Sequence, residues 1–275
     1  MIALTGATGF VGRQVMRALI EQGLVVRAIT RDLASLREYA HHPLVESVVV
    51  TDLFRASASQ LREVVDGADT LIHAAWYTVP GSYLDSDENL ICLSGTIALA
   101  REFVAAGGRR FVGIGTCAEY APSETELEPD SPLAPTTLYA ASKVAAYHSL
   151  RVYLSLQGVE FAWCRLFYLS GEGEDERRLI PTLRRKLALG MPVELSGGSQ
   201  VRDYLDVAVA GTLIARVALG LKQGALNICS GRATTVREIA EGIADDYGRR
   251  DLLRFGARSE NSFDPPCVVG KVEEI

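Results

Sequence analysis

Apolar residues recur along this chain in two rhythms, short β-branched runs and longer stretches with helical spacing. The runs at 1–5, 24–30, 45–51 (VESVVVT), 70–75 (TLIHAA), 110–115 (RFVGIG) and 159–166 are nearly continuous, as strands buried on both faces require. Helical spacing near 13–22, 60–65, 88–106 and from about 138 predicts the helices between them. Strands and helices alternating in this way predict a doubly wound α/β domain with a parallel sheet. A loop rich in proline and acid, 121–137, breaks the pattern, and its acidic run 124–130 is expected to be mobile. After Arg165 the rhythm changes. A polar segment, 172–178, precedes a helix at 179–189, a short strand at 192–195, a helix at 206–219, a strand at 225–228 and a helix at 235–247 capped by Thr234 or Thr235. The division expected is a first unit of 1–165, joined by about 203–230 returning to its sheet. A smaller, interleaved C-terminal lobe takes about 166–202 and 231–275.

Composition narrows the setting. The chain has 275 residues, 48% hydrophobic and 23% charged, which supports a large core and excludes the composition of disorder. Against 34 acidic residues stand 28 basic ones, a net charge of -6 with no long basic block, so no nucleic-acid partner is expected. No apolar run reaches the roughly 18 residues of a membrane helix, so no membrane span is expected. Strand-like sequence from Ile2 onward leaves no room for a signal peptide on this reading. The five cysteines (Cys92, Cys117, Cys164, Cys229, Cys267) are odd in number and far apart. They point to reduced thiols in a cytoplasmic protein. His41 and His42 lack a third ligand, and no metal site is expected.

The first turn carries candidate chemistry. Gly6, Thr8, Gly9, Phe10, Val11 and Gly12 (GATGFVG) lie between the first strand and the first helix. Glycines there let the backbone approach a pyrophosphate, which the free N–H groups of the helix N-terminus attract. The plain alternative is a turn that only tightens strand–helix packing. At the end of the second strand (AITRD) an NAD site places a carboxylate for the ribose hydroxyls, but here stand Thr30 and Arg31. A guanidinium can pair with a 2′-phosphate, so NADP(H) is favoured over NAD(H), with a solvated Arg31 as the alternative. Asp32 lies past the usual spot but within reach of a ribose.

Further on, Tyr139 and Lys143 (YAASK) are four residues apart near a helix start and share one face. A free phenol, with a pKa near 10, is a poor acid–base catalyst at neutral pH, and a neighbouring ammonium favours its phenolate. Thr116, at the carboxyl end of the fifth strand, is placed to add a hydroxyl where this fold holds its ligands.

With these motifs in order, the sequence resembles the extended short-chain dehydrogenase/reductases, the group of nucleotide-sugar epimerases, dehydratases and ketoreductases. The likeness runs through GATGFVG, Asp52-Leu53, HAAW, GTCAEY, YAASK, RLFYLSGEGE, SQVRDYLDV and LNICSG. It implies a Rossmann domain with a substrate lobe. It further implies Thr116 polarising the substrate oxygen, Tyr139 exchanging the proton, and Lys143 binding the nicotinamide ribose. Asp52 and Leu53 would flank adenine, Ala74, Ala75 and Phe167 would line the cofactor, and Trp76, Tyr168 and Arg202 would join Thr116 around a nucleotide-diphosphate sugar. For Arg202 the alternative is a salt bridge to Asp203 or Asp206. For Trp76 and Tyr77 it is packing against the next helix. The helices at 88–106 and from 138 would form a homodimer interface.

Departures from the family pattern narrow the reaction. Cys117 and Ala118 replace the Asp-Glu pair of the 4,6-dehydratases, which disfavours dehydration. The cysteine of fucose-synthase-type epimerases falls at Ala118, so Cys117 is expected to be a packed thiol. Cys92 and Tyr168 each replace a usual asparagine. The wording of GTCAEY and RLFYLSGEGE is most similar to nucleotide-diphospho-4-keto-6-deoxyhexose 4-ketoreductases, including 6-deoxy-talose-forming enzymes. The expectation is NADPH-dependent reduction of a 4-keto sugar. The alternatives are a 4-epimerase that retains its cofactor and, from another class, a non-catalytic NADP-binding redox regulator. His73 is expected to be a hydrogen-bonded strand-end residue, and Arg177, Arg178, Arg184, Arg185 and Lys186 a solvated surface.

Overall fold

A computed structural model describes residues 1–259 and 265–275. Six strands, β1 (Ile2–Thr5), β2 (Val26–Thr30), β3 (Val45–Val49), β4 (Thr70–His73), β5 (Arg110–Thr116) and β6 (Glu160–Leu166), join a returning strand, Gly224–Ile228. Their order across the sheet is returning strand, β6, β5, β4, β1, β2, β3, with every pairing parallel. Alternate side chains feed two cores. Leu4, Ile72, Val112, Ala162 and Cys164 face α1 (Phe10–Glu21) and α6 (Val207–Leu219). Ala3, Leu71, Phe111, Phe161 and Trp163 face α2 (Ala58–Val65), α3 (Glu88–Ala105) and α4 (Leu138–Leu156). Both faces of the central strands are covered, which is why they read as continuous apolar runs. The edge strand β3, expected to be buried on both faces, leaves Glu46, Ser47 and Val49 exposed because it has a neighbour on one side only.

Strands end where other bonds take over. The second begins at Val26, because Leu24 N donates to Leu19 O and closes the turn after α1. The fourth ends at His73, where Ala74 and Ala75 bend under the first turn and bond to Thr5.

In the C-terminal part, α5 (Leu179–Ala188) and α7 (Val236–Asp246) enclose a third core of Ile180, Leu183, Leu187, Ala240 and Ile243. Strands of two or three residues complete it. Val201–Arg202 lies between Thr234–Thr235 and Cys267–Val268, and Tyr168–Ser170 pairs with Tyr204–Asp206. The acidic run is not a free loop, contrary to expectation. Leu127 is buried, its N–H donates to Val269 O, and its carbonyl accepts from Lys271 N and the Asn227 amide.

Candidate active site

The carboxyl ends of β1, β4 and β5 and the start of α4 meet in one region. Gly6 has φ 70°, and a Cβ there would lie 2.8 Å from Ala75 N. At Gly12 a Cβ would come within 2.0 Å of Gly6 O. The turn is thus packed to backbone contact, with Ala74 and Ala75 as its floor. The first turn of α1 has no side-chain cap, which leaves its amide N–H groups available to an anion such as a pyrophosphate. Arg13 Nη2 donates to Thr8 O at 3.0 Å and braces the loop. A dinucleotide phosphate fits this cradle, and a side chain at Gly6 or Gly12 would fill it.

Beyond β2, Arg31 is exposed, whereas Thr30 is buried with its hydroxyl bonded to Asp32 O and Ser35. The Asp32 carboxylate caps a short helix, Leu33–Tyr39, by accepting from Ala34 N. Asp52 similarly caps Leu53–Arg55, and the Arg55 guanidinium beside it holds its carboxyl below the usual range. Leu53 is buried.

Thr116 ends β5 and caps the turn Cys117–Glu119 in a reciprocal capping box with Glu119. The fully buried Glu119 carboxylate accepts from Thr116 N at 2.9 Å, Trp163 Nε1 at 3.0 Å and Arg165 Nε at 2.7 Å. Gly113 and Gly115 admit the Trp163 indole, since a Cβ at either would lie within 2.4 Å of it. Arg165 is anchored further by Tyr120 Oη and Pro129 O. This buried assembly, which the sequence reading overlooked, fixes the backbone that carries Thr116.

Tyr139 opens α4 behind the Thr137 cap, its N–H donating to Leu84 O and its ring edge-to-face with Tyr83 at 4.9 Å. Burial holds its phenol well above the ordinary range, Tyr83 and Glu119 add to this, and a hydrogen bond with Thr116 acts in the opposite direction. Lys143, one turn along, is buried and donates to Ile114 O at 2.7 Å. Its Nζ lies 3.7 Å from the Trp76 ring centroid, and burial pulls its ammonium down to about 7. Trp76 is half-buried, with its indole N–H donating to Asn89 Oδ1. His73 bonds Thr5 and Thr96, and burial lowers it to about 3, leaving it neutral. Thr116 at the end of β5 and Tyr139 at the start of α4 are thus brought together, with Lys143 one turn further along α4 and bonded back to β5.

Phe167 is buried against Tyr120 and Cys229, with Cys117 and Tyr168 packed on the same cluster. Arg202 is buried, and its guanidinium lies 5.3 Å from the Tyr168 ring centroid. The Asp203 carboxylate accepts from Ser230 N and Oγ, Gly231 N and Gly270 N, while Asp206 caps α6. Asp203 thus ties the lobe to the returning strand.

The fold is a doubly wound α/β fold, with the glycine turn and Thr116, Tyr139 and Lys143 at the carboxyl ends of its strands. The chain belongs to the NAD dependent epimerase/dehydratase family, whose sequence model matches residues 2–229. It is 21% identical to a dTDP-6-deoxy-L-talose 4-dehydrogenase (NAD(+)) of Aggregatibacter actinomycetemcomitans, covering 98% of each chain. It is 26% identical to a UDP-glucose 4-epimerase of Azospirillum brasilense, covering all of this chain and 84% of that one. A dTDP-glucose 4,6-dehydratase structure from Streptomyces venezuelae with NAD bound superposes with a TM-score of 0.85 at 23% identity, covering 98% of this chain and 88% of that one. At that identity the likeness speaks for the fold. No helix among the described residues is long and apolar enough to cross a membrane.

Proposed function

We propose that this protein reduces the 4-keto group of a nucleotide-diphosphate 6-deoxy sugar with NADPH. The observation that carries the proposal is the convergence of Thr116, Tyr139 and Lys143 beside positions 117 and 118 that lack an acid pair. Bound NADPH would supply the reducing equivalent. The Thr116 hydroxyl would bind the carbonyl oxygen, and Tyr139, kept as a phenol by burial, would protonate it. The Lys143 ammonium would offset charge as that proton leaves. Glu119 does not replace the missing acids, because its carboxylate is buried against Arg165. Trp76, Tyr168 and Arg202 are assigned to the sugar and its diphosphate.

NADP(H) is preferred on this reading because Arg31 is exposed at the end of β2 and the Asp32 carboxylate is engaged as a cap. A cytoplasmic homodimer paired through α3 and α4 is part of the same proposal, since Leu90 and Val152 lie exposed on those helices.

A second reading, 4-epimerisation with retained cofactor, draws on the UDP-glucose 4-epimerase relative. One assay separates them. NADPH loss equal to product formed, across thymidine-, cytidine-, guanosine- and uridine-linked 4-keto sugars, is the reductase result. Epimerisation without net NADPH change supports the second reading. NADPH binding without turnover of any of them would favour the non-catalytic regulator.

A further inference from the structure

We infer that Trp76 is a positioning residue for Lys143, holding the ammonium under its indole face, and that Asn89 locks this arrangement to the segment that seats Tyr139. The inference rests on the reduction proposed above for its catalytic meaning, but its geometry stands by itself. Nζ lies 3.7 Å from the Trp76 centroid and donates to Ile114 O on the other side. A desolvated ammonium over an indole face is attracted by the ring quadrupole, most strongly for tryptophan. The other groups facing Lys143 hold a cation poorly. His73 on β4 is neutral and bonded between Thr5 and Thr96. Cys92 on α3 is buried and kept as a thiol by that burial. The Glu119 carboxylate favours the cation but is shared among Arg165, Trp163 and Thr116 N. Tyr139, on the same helix, remains a phenol. The indole face is thus the nearest uncommitted support for the charge.

Asn89 makes the support rigid. Fully buried, it accepts from the Trp76 indole N–H at 2.9 Å and donates to Tyr83 O at 2.6 Å and Ser86 O at 2.9 Å. The Tyr83 ring meets Tyr139 edge-on, and Leu84 O accepts the Tyr139 N–H. A single amide therefore sets the distance between the surface under Lys143 and the wall beside Tyr139.

The test begins with the whole chain free of cofactor. Trp76 and Trp163 are its two tryptophans. Gain and loss of the Lys143 proton places and removes a charge against Trp76, so intrinsic emission should titrate with one midpoint near neutral pH. Lys143→Met should abolish that titration. Trp76→Phe should reduce it to the small response of Trp163, 5.8 Å from Nζ. In turnover with NADPH and a nucleotide 4-keto sugar, Trp76→Leu should weaken the hold on the Lys143 proton roughly tenfold. The alkaline limb of kcat then moves to lower pH, a displacement that the loss of a sugar contact, which raises KM, does not produce. Trp76→Phe, which keeps a ring, should recover much of that displacement. An emission titration that survives in Lys143→Met overturns the inference, as does a folded Trp76→Leu protein whose alkaline limb stays in place. A normal emission titration without turnover by the wild type would support the clamp and overturn the reduction instead.

Discussion

Replacing Glu119 by glutamine keeps the side chain's shape and removes its charge at the centre of the buried assembly behind Thr116. Arg165 has 1% of its side chain exposed and cannot shed its proton, so it would be left as a buried cation without its counter-ion. Breaking one partner of such a pair costs roughly 3–5 kcal/mol. Arg165 retains Tyr120 Oη, Pro129 O and the nearby rings of Tyr120 and Tyr147, which favours the lower end of that range. About 3 kcal/mol is a substantial part of the 5–15 kcal/mol typical of a folded domain. At roughly 2–4 °C per kcal/mol, the Tm should fall by about 6–12 °C. Urea unfolding followed by circular dichroism measures the loss. The paired change Glu119→Gln with Arg165→Met should restore part of it, because it removes the uncompensated cation while the glutamine oxygen still accepts from Thr116 N and Trp163 Nε1. A Glu119→Gln protein within about 1 kcal/mol of wild type would refute the reasoning.

Gly12→Ala places a methyl against Gly6 O and should abolish measurable NADPH binding in a fluorescence titration, with a stability loss of roughly 1–3 kcal/mol. Arg31→Ala should weaken NADPH binding by roughly 10–100-fold, the scale of a lost charge-assisted hydrogen bond, and leave NADH affinity nearly unchanged in the same titration. Lys143 titrates near 7 in the folded protein against an ordinary value of 10.5, so between these values the unfolded chain holds the extra proton. Stability of the cofactor-free protein should therefore rise with pH across that window, and urea midpoints for Lys143→Met should lack that contribution.

The parallel sheet was readable because burial on both faces writes the central strands as unbroken apolar runs, and the helices between them carry their own spacing. The strands of two or three residues around Val201–Arg202 have no period to read and form only through partners distant in sequence. The acidic run around Leu127 looked like free loop because its anchor, the segment at Val269–Lys271, arrives from the other end of the chain. The glycine turn, Thr116 and the Tyr139/Lys143 spacing are local signals. Glu119 and Arg165 were legible in part. Thr116-x-x-Glu119 is a capping-box pattern, and an arginine inside the apolar run FAWCRLF demands a buried partner. Asn89 had no such mark, since nothing in its neighbourhood specifies that Trp76 and Tyr83 will converge on one amide.

Turnover of Tyr139→Phe, with NADPH and the 4-keto sugar that the wild type reduces fastest, tests the central claim most directly. Removing only the phenolic hydroxyl should lower kcat by roughly 10²–10⁴-fold, the scale of lost proton donation, while NADPH binds as in wild type. Turnover within about threefold of wild type would contradict the account, because the proton would then come from another group.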